Sequence, residues 1–223
     1  MPKVIFKFNK ENDLWNLWDT CNSSVRWGHD FTRKIDPKII RLCKKKKLKD
    51  IKKKLEDYRK EIYSSGIISA SVKSFNKEWG KINNRFFIKL KEVMKKPICS
   101  NLFTGYLTTV GRCPYDFNKD KPSFFVNVFN KIPKVLKIAA HEIMHIQFHN
   151  TYWKKVEKEI GREKTEDLKE ALTVLLNIEF TDLGLAKDEG YPNHQKLRKF
   201  IEKEWKKEPD FDVLIKKCTK YLK

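Results

Sequence analysis

Pro133-Lys134-Val135-Leu136-Lys137-Ile138-Ala139-Ala140-His141-Glu142-Ile143-Met144-His145-Ile146-Gln147-Phe148 sets the pentapeptide His-Glu-x-x-His inside a run that is apolar almost all round. Pro133 suits the first turn of a helix, and such a continuous apolar surface predicts a buried one. One helical turn is about 3.6 residues, so His141 and His145 project from the same face and can offer two imidazole nitrogens to one zinc ion. Glu142 lies roughly 100° round the helix, placed to reach a water at the metal rather than to ligate it, which is the position of a general base. Burying two histidines and a glutamate needs compensation, and a bound metal provides it. The chain has only 5 histidines, so an accidental pentapeptide of this kind is improbable.

Catalytic zinc usually takes three protein ligands and keeps a fourth position open. Thr165-Glu166-Asp167-Leu168-Lys169-Glu170-Ala171-Leu172-Thr173-Val174-Leu175-Leu176-Asn177 opens on a threonine of N-cap type followed by acids, then turns apolar, which predicts a second helix. Within its apolar part Glu170, Thr173 and Asn177 fall on one stripe. Glu170 is the expected third ligand, Thr173 and Asn177 its expected supports, and Glu166 and Glu179 the fallback carboxylates.

Together these helices resemble the gluzincin type of zincin metallopeptidase, in which His-Glu-x-x-His is followed by a helix carrying Glu-Ala, as Glu170-Ala171 does here. A narrower similarity is to the ImmA/IrrE-like peptidases, whose motif helix often carries a further histidine where this chain has His149. The likeness covers roughly residues 124 to 180. It implies a zinc metallopeptidase with one Zn2+ per chain and a peptide or protein substrate. The chain departs from the pattern at Val174, where an aspartate often stands, so Asn177 or Asp182 is expected to replace that carboxylate.

His149 continues the face of His141 and His145, but a third ligand from one straight helix would sit about 6 Å further along its axis. It is therefore expected to line the cleft or to be structural. The implied chemistry is hydrolysis, with Glu142 as general base for a zinc-activated water. Gly190-Tyr191-Pro192-Asn193-His194 is turn-rich, and either Tyr191 or His194 is a candidate donor to the developing oxyanion. His194 is also an alternative third ligand.

Ser123 to Phe129 reads as a strand just before the motif helix, Gly105 to Cys113 as another and Val4 to Phe8 as a third, with a loop from Pro114 to Pro122. The strand beside the motif helix is expected to be the sheet edge, where Asn127 and its neighbours would pair an extended peptide. Upstream, Leu14 to Cys21 has an amphipathic helical pattern, a basic helix runs from about Asp36 to Ser64, and Val72, Phe75, Trp79, Ile82, Phe86, Leu90 and Val93 form a core-facing stripe. The fold class expected is α+β and predominantly helical, a zincin-like core with a small mixed or antiparallel sheet packed on the motif helix. It forms a single domain over residues 1–223, with 1–97 a basic N-terminal helical region and 98–223 the catalytic core.

The net charge of +20 keeps weak, non-specific nucleic-acid binding open as a partner class, and with it an SprT-like protease acting on DNA-associated proteins. Lysine dominates and arginine, the better reader of phosphate forks and base edges, is scarce. A non-catalytic, zinc-stabilised binding module is a third reading. A di-iron bundle is excluded by the lack of a second Glu-x-x-His. No long apolar segment or secretory leader is read, so no membrane partner and a cytoplasmic location are expected. The 5 cysteines lack a Cys-x-x-Cys pair and are expected to be reduced.

Overall fold

In a computed structural model, which describes residues 1–23, 25–26, 29–118 and 120–223, the three strands expected from the sequence and one further short strand form a four-stranded sheet. β1 (Lys3–Phe8) leads into α1 (Lys10–Asn22), a two-residue ribbon of β2 (Val25–Arg26) and β3 (His29–Asp30), α2 (Pro37–Cys43), α3 (Leu48–Ser64) and α4 (Ile67–Met94). β4 (Leu102–Thr108), β5 (Tyr115–Asp116) and β6 (Ser123–Asn127) follow, then α5 (Ile132–Thr151), α6 (Trp153–Ile160), α7 (Arg162–Leu172), α8 (Leu176–Glu179), α9 (Gln195–Lys207) and α10 (Phe211–Leu222). The strand order is β1-β4-β6-β5, with β1, β4 and β6 parallel and β5 antiparallel to β6. The architecture is thus α+β, mainly helical with a small mixed sheet.

One sheet face buries Phe6, Phe103, Leu107, Phe124 and Val126 against α4 and α5. Each such side chain contributes about 1.5–3 kcal/mol relative to exposure. Gly105 allows the closest approach, since a Cβ there would stand 2.6 Å from the Phe6 ring. The outer edge of β1 is occupied by α4. Asn76 accepts from the Phe6 N–H at 2.9 Å and donates to the Phe6 carbonyl at 2.8 Å. The opposite edge, β5, faces the motif helix α5.

A second small core joins Leu14, Leu17 and Cys21 of α1 to Ile39 and Cys43 of α2, Ile51 and Leu55 of α3, and Val110 beyond β4. Its polar counterpart is Asp13, fully buried, which accepts from the Thr109 N–H at 2.7 Å and from the Thr108, Thr109 and Tyr63 hydroxyls at 2.6, 2.8 and 2.8 Å. Asn16 donates to the Arg112 carbonyl at 2.9 Å, and Arg112 pairs with Asp19. The N-terminal helices therefore hold the segment that leads into β5.

Several expectations are corrected. The basic helix breaks into α2 and α3 at Lys44–Lys47, where Lys45 takes a left-handed φ of 58° that no α-helix accommodates. The second core requires that bend. The expected loop after Pro114 contains β5, so β6 lies between β4 and β5 and is not the edge. Asn127 instead donates to the Val110 carbonyl at 2.7 Å and accepts from the Phe129 N–H at 2.8 Å. α7 starts three residues before Thr165, whose hydroxyl donates to the Gly161 carbonyl at 2.7 Å from inside the helix. β1 and α4 share the main core with β4, β6 and α5. All five cysteines are unbridged. Among the described residues no helix is long and apolar enough to cross a membrane.

Candidate metal centre

α5 crosses beneath the sheet with His141, Glu142 and His145 turned towards α7, which brings Glu170 to meet them. Among the described residues, His141, His145 and Glu170 offer ligand atoms that all lie within 4.8 Å of one another. Glu170 Oε2 stands 3.5 Å from His141 Nε2 and 3.6 Å from His145 Nε2. Two ligands each about 2.0–2.1 Å from a tetrahedral zinc would themselves stand roughly 3.4 Å apart, so the spacing suits that ion. His145 Nε2 and Glu170 Oε2 are buried and make no hydrogen bond. Orphaned polar atoms facing one another inside a core are costly unless a cation joins them.

Asp188 fixes His141. Its Oδ2 accepts from His141 Nδ1 at 2.8 Å, which leaves Nε2 with a free lone pair for a metal. Asp188 is 1% exposed and is held on every side. Asn177 donates to its carbonyl at 2.7 Å and accepts from its N–H at 2.8 Å, and the Arg198 guanidinium lies 3.1 Å from its Oδ1 and bonds its carbonyl. The Thr173 hydroxyl is 3.1 Å from the same Oδ1, and Lys137 Nζ is 3.6 Å from Oδ2. Gly190 makes room for Arg198. Its φ is +64°, and a Cβ there would lie 2.7 Å from the guanidinium.

The electrostatics follow this layout. Burial disfavours the charged form of His141, but Asp188 and Glu170 outweigh it and lift its pKa to about 10. At His145 burial prevails and the pKa falls. Burial would raise Glu170, yet His145, His141 and Lys169 hold it well below the usual carboxylate range. Asp188 is likewise depressed against burial, chiefly by His141, Lys137 and Arg198.

The other side of Glu170 is occupied by Lys169, 2% exposed, whose Nζ lies 3.1 Å from Glu170 Oε1, 2.8 Å from Glu166 Oε2 and 2.9 Å from the Tyr115 hydroxyl. Holding Oε1 leaves Oε2 as the atom presented to the histidines. Glu142 is buried at the cleft floor, its Oε2 3.5 Å from His145 Nδ1. These groups line a cleft of about 1130 Å³ together with Arg112 to Tyr115, Phe117 and Ala186 to Pro192.

Of the other sequence candidates, Tyr191 lines this cleft. His194 does not reach the trio. It is buried under the loop, with Nε2 2.9 Å from Asp167 Oδ1, because the 3-10 turn Pro192–His194 directs it at α7. His149 is cleft-lining, stacked between Phe117 and Trp153 at centroid distances of 4.3 and 4.1 Å. Burial and the Lys169 charge lower its pKa to about 4. The histidine that an SprT-like third ligand requires is thus engaged elsewhere at both positions. Glu166 pairs with Lys169, and Glu179 accepts from Trp205 Nε1 at 2.6 Å. Asp182 pairs with Arg85 and Lys89 and is not the replacement carboxylate.

Asp188, Arg198, Lys169 and Tyr115 were not anticipated. Asp188 had one signal: Thr173 and Asn177 on a buried helix needed polar partners, and the partner is this loop carboxylate rather than the metal. Comparison with protein-family models, curated proteins and solved structures finds no match for this chain.

Proposed function

We propose that this chain is a zinc-dependent metallopeptidase with a zincin-like core. One observation carries the reading: two histidines one turn apart on a buried helix converge with a buried glutamate, and His145 Nε2 and Glu170 Oε2 make no hydrogen bond. The antiparallel edge strand beside the motif helix further supports it, because an extended peptide can pair there. His141 through Nε2, His145 through Nε2 and Glu170 through Oε2 are the atoms that would hold zinc. When bound, the ion supplies Lewis acidity to a carbonyl and to water.

The protein groups do the rest. Glu142 accepts a proton from water as the water oxygen bonds to the scissile carbonyl carbon and the C=O π pair moves onto oxygen. It then gives that proton to the amide nitrogen as the C–N bond breaks, yielding a carboxylic acid and an amine. Asp188 keeps the proton of His141 on Nδ1 throughout.

Glu142→Gln tests the reading. Zinc content should stay near one per chain while hydrolysis of a broad peptide library is lost by several orders of magnitude. Persistence of activity would remove the general base. Zinc bound with no hydrolysis by the unmodified protein would instead favour a zinc-stabilised binding module.

A further inference from the structure

Tyr115 stands in the cleft with no part in the metal trio and no part as a base. It lies on the edge strand β5, its ring centroid 5.3 Å from that of His145. Its hydroxyl is 2.9 Å from Lys169 Nζ and 2.7 Å from His149 Nε2. An ammonium group only donates, so Lys169 directs a hydrogen at the Tyr115 oxygen, and the phenolic proton turns towards the imidazole. His149 is locked by the stack with Phe117 and Trp153, and Tyr115 is thereby fixed from two sides. A hydroxyl whose oxygen is held by a buried cation is polarised and preorganised, which is what stabilising a developing negative charge requires. The same ammonium touches Glu170 Oε1, so hydroxyl, cation and ligand carboxylate form one connected row ending at the metal trio.

We propose that Tyr115 donates the hydrogen bond that stabilises the carbonyl oxygen of a peptide lying along β5 as that oxygen becomes an oxyanion, with Lys169 as the positioning residue. The inference rests on the peptidase reading. No bond to Tyr115 is made or broken: its O–H turns from His149 Nε2 to the substrate oxygen and keeps its proton. The sequence had put Tyr191 and His194 in this role. Asp167 engages His194, and the Tyr191 ring packs edge-on against His194 at a centroid distance of 5.8 Å.

The experiment compares Tyr115→Phe with the unmodified zinc protein. Loss of one oxyanion donor lowers kcat about 100- to 1000-fold, and KM should move by less than about 3-fold. Zinc content should not change. Affinity for a phosphinic peptide, a tetrahedral mimic, should fall about 100-fold by calorimetry. Affinity for an uncleaved peptide in a Glu142→Gln background should stay within about 3-fold, whereas a merely structural tyrosine would weaken both ligands alike. An unchanged kcat, equal losses for the two ligands, or the same pattern appearing in Tyr191→Phe instead would overturn the assignment. If Tyr115→Phe fails to hold zinc, 3-fluorotyrosine at position 115 decides: tighter phosphinic-peptide binding supports the role, and unchanged binding overturns it. Absence of hydrolysis and of phosphinic-peptide binding by the unmodified protein would remove the peptidase reading and the assignment together. Normal hydrolysis with an active Tyr115→Phe removes the assignment alone.

Discussion

Asp188→Asn is the most informative perturbation of the proposed metal centre, because the surrounding donors dictate how the new amide must sit. Arg198, 3.1 Å from Oδ1, has only donors, so the amide oxygen has to face the guanidinium. That turns the NH2 group towards His141 Nδ1, where the carboxylate oxygen stood at 2.8 Å. Two donors cannot face one another. His141 must then move its proton to Nε2, the nitrogen that would hold zinc. Loss of a carboxylate partner to a ligand histidine typically costs 10- to 100-fold in metal affinity, and imposing the wrong tautomer points to the upper end. A 100-fold loss is about 2.7 kcal/mol.

A competition titration with a chromophoric chelator near neutral pH would read the zinc affinity, and melting of the zinc-free protein would report the fold. The expected result is a zinc dissociation constant about 100-fold weaker, with zinc-free Asp188→Asn still folded but melting several degrees lower, since Asn177, Thr173 and Arg198 keep hydrogen-bond partners while buried Arg198 loses its carboxylate. An affinity within about 3-fold of the unmodified protein would refute the tautomer argument. A collapse in melting temperature would show instead that the buried carboxylate stabilises the fold rather than the ligand.

Two further outcomes follow from the same neighbourhood. Gly190→Ala places a Cβ 2.7 Å from the Arg198 guanidinium at a φ of +64°. Left-handed backbone costs an alanine about 1 kcal/mol, so melting should fall by a few degrees, and displacement of Arg198 from Asp188 should weaken zinc binding roughly 10-fold. Unaltered affinity in the titration would show that Arg198 does not support the centre. For His149 the folded pKa of about 4 lies below the usual histidine value. Protonation therefore favours the unfolded chain, and stability contributed by the neutral imidazole is present near pH 7 and lost as the pH falls from about 6.5 towards 4. The ring is partly exposed, so the loss is on the order of 1 kcal/mol, and it should shrink in His149→Phe, which keeps the aromatic stack. Urea midpoints at the two ends of that pH range would check it, an equal acid loss in both proteins counting against the assignment.

What the sequence revealed and what it hid divide along a physical line. α5 was legible because its apolar surface has helical period and its polar residues are few and chemically specific. α4 was legible for the same reason, and β1 and β6 through their β-branched and aromatic runs. Glu170 stands out in the sequence because a carboxylate on an apolar stripe needs a partner. Asp188 and Tyr115 lie in a loop and a two-residue strand, where no periodicity operates and where position is fixed by contacts far along the chain. Lys169 was overlooked for a different reason. A lysine beside a glutamate on a helix normally reads as a solvated pair, and only the placement of β5, paired antiparallel to β6, brings Tyr115 over Lys169.

The basic N-terminal region has a structural part in the cleft that its charge does not reveal. Its lysines invite a nucleic-acid reading, yet several are paired within it, Lys52 with Glu11 at 2.7 Å and Lys53 with Asp57 at 3.0 Å. What the region contributes to the cleft is mechanical. Asp13 binds the end of β4, Asn16 and Asp19 hold Arg112, and Arg112 is followed by Cys113, Pro114 and Tyr115. The wall carrying Tyr115 is thus suspended between α1 on one side and the Lys169–Glu170 pair on the other. A displacement of α1 would move the hydroxyl relative to the metal trio without touching a ligand. The N-terminal helices are accordingly part of the scaffold of the cleft, tied through Arg112 to the segment that carries Tyr115.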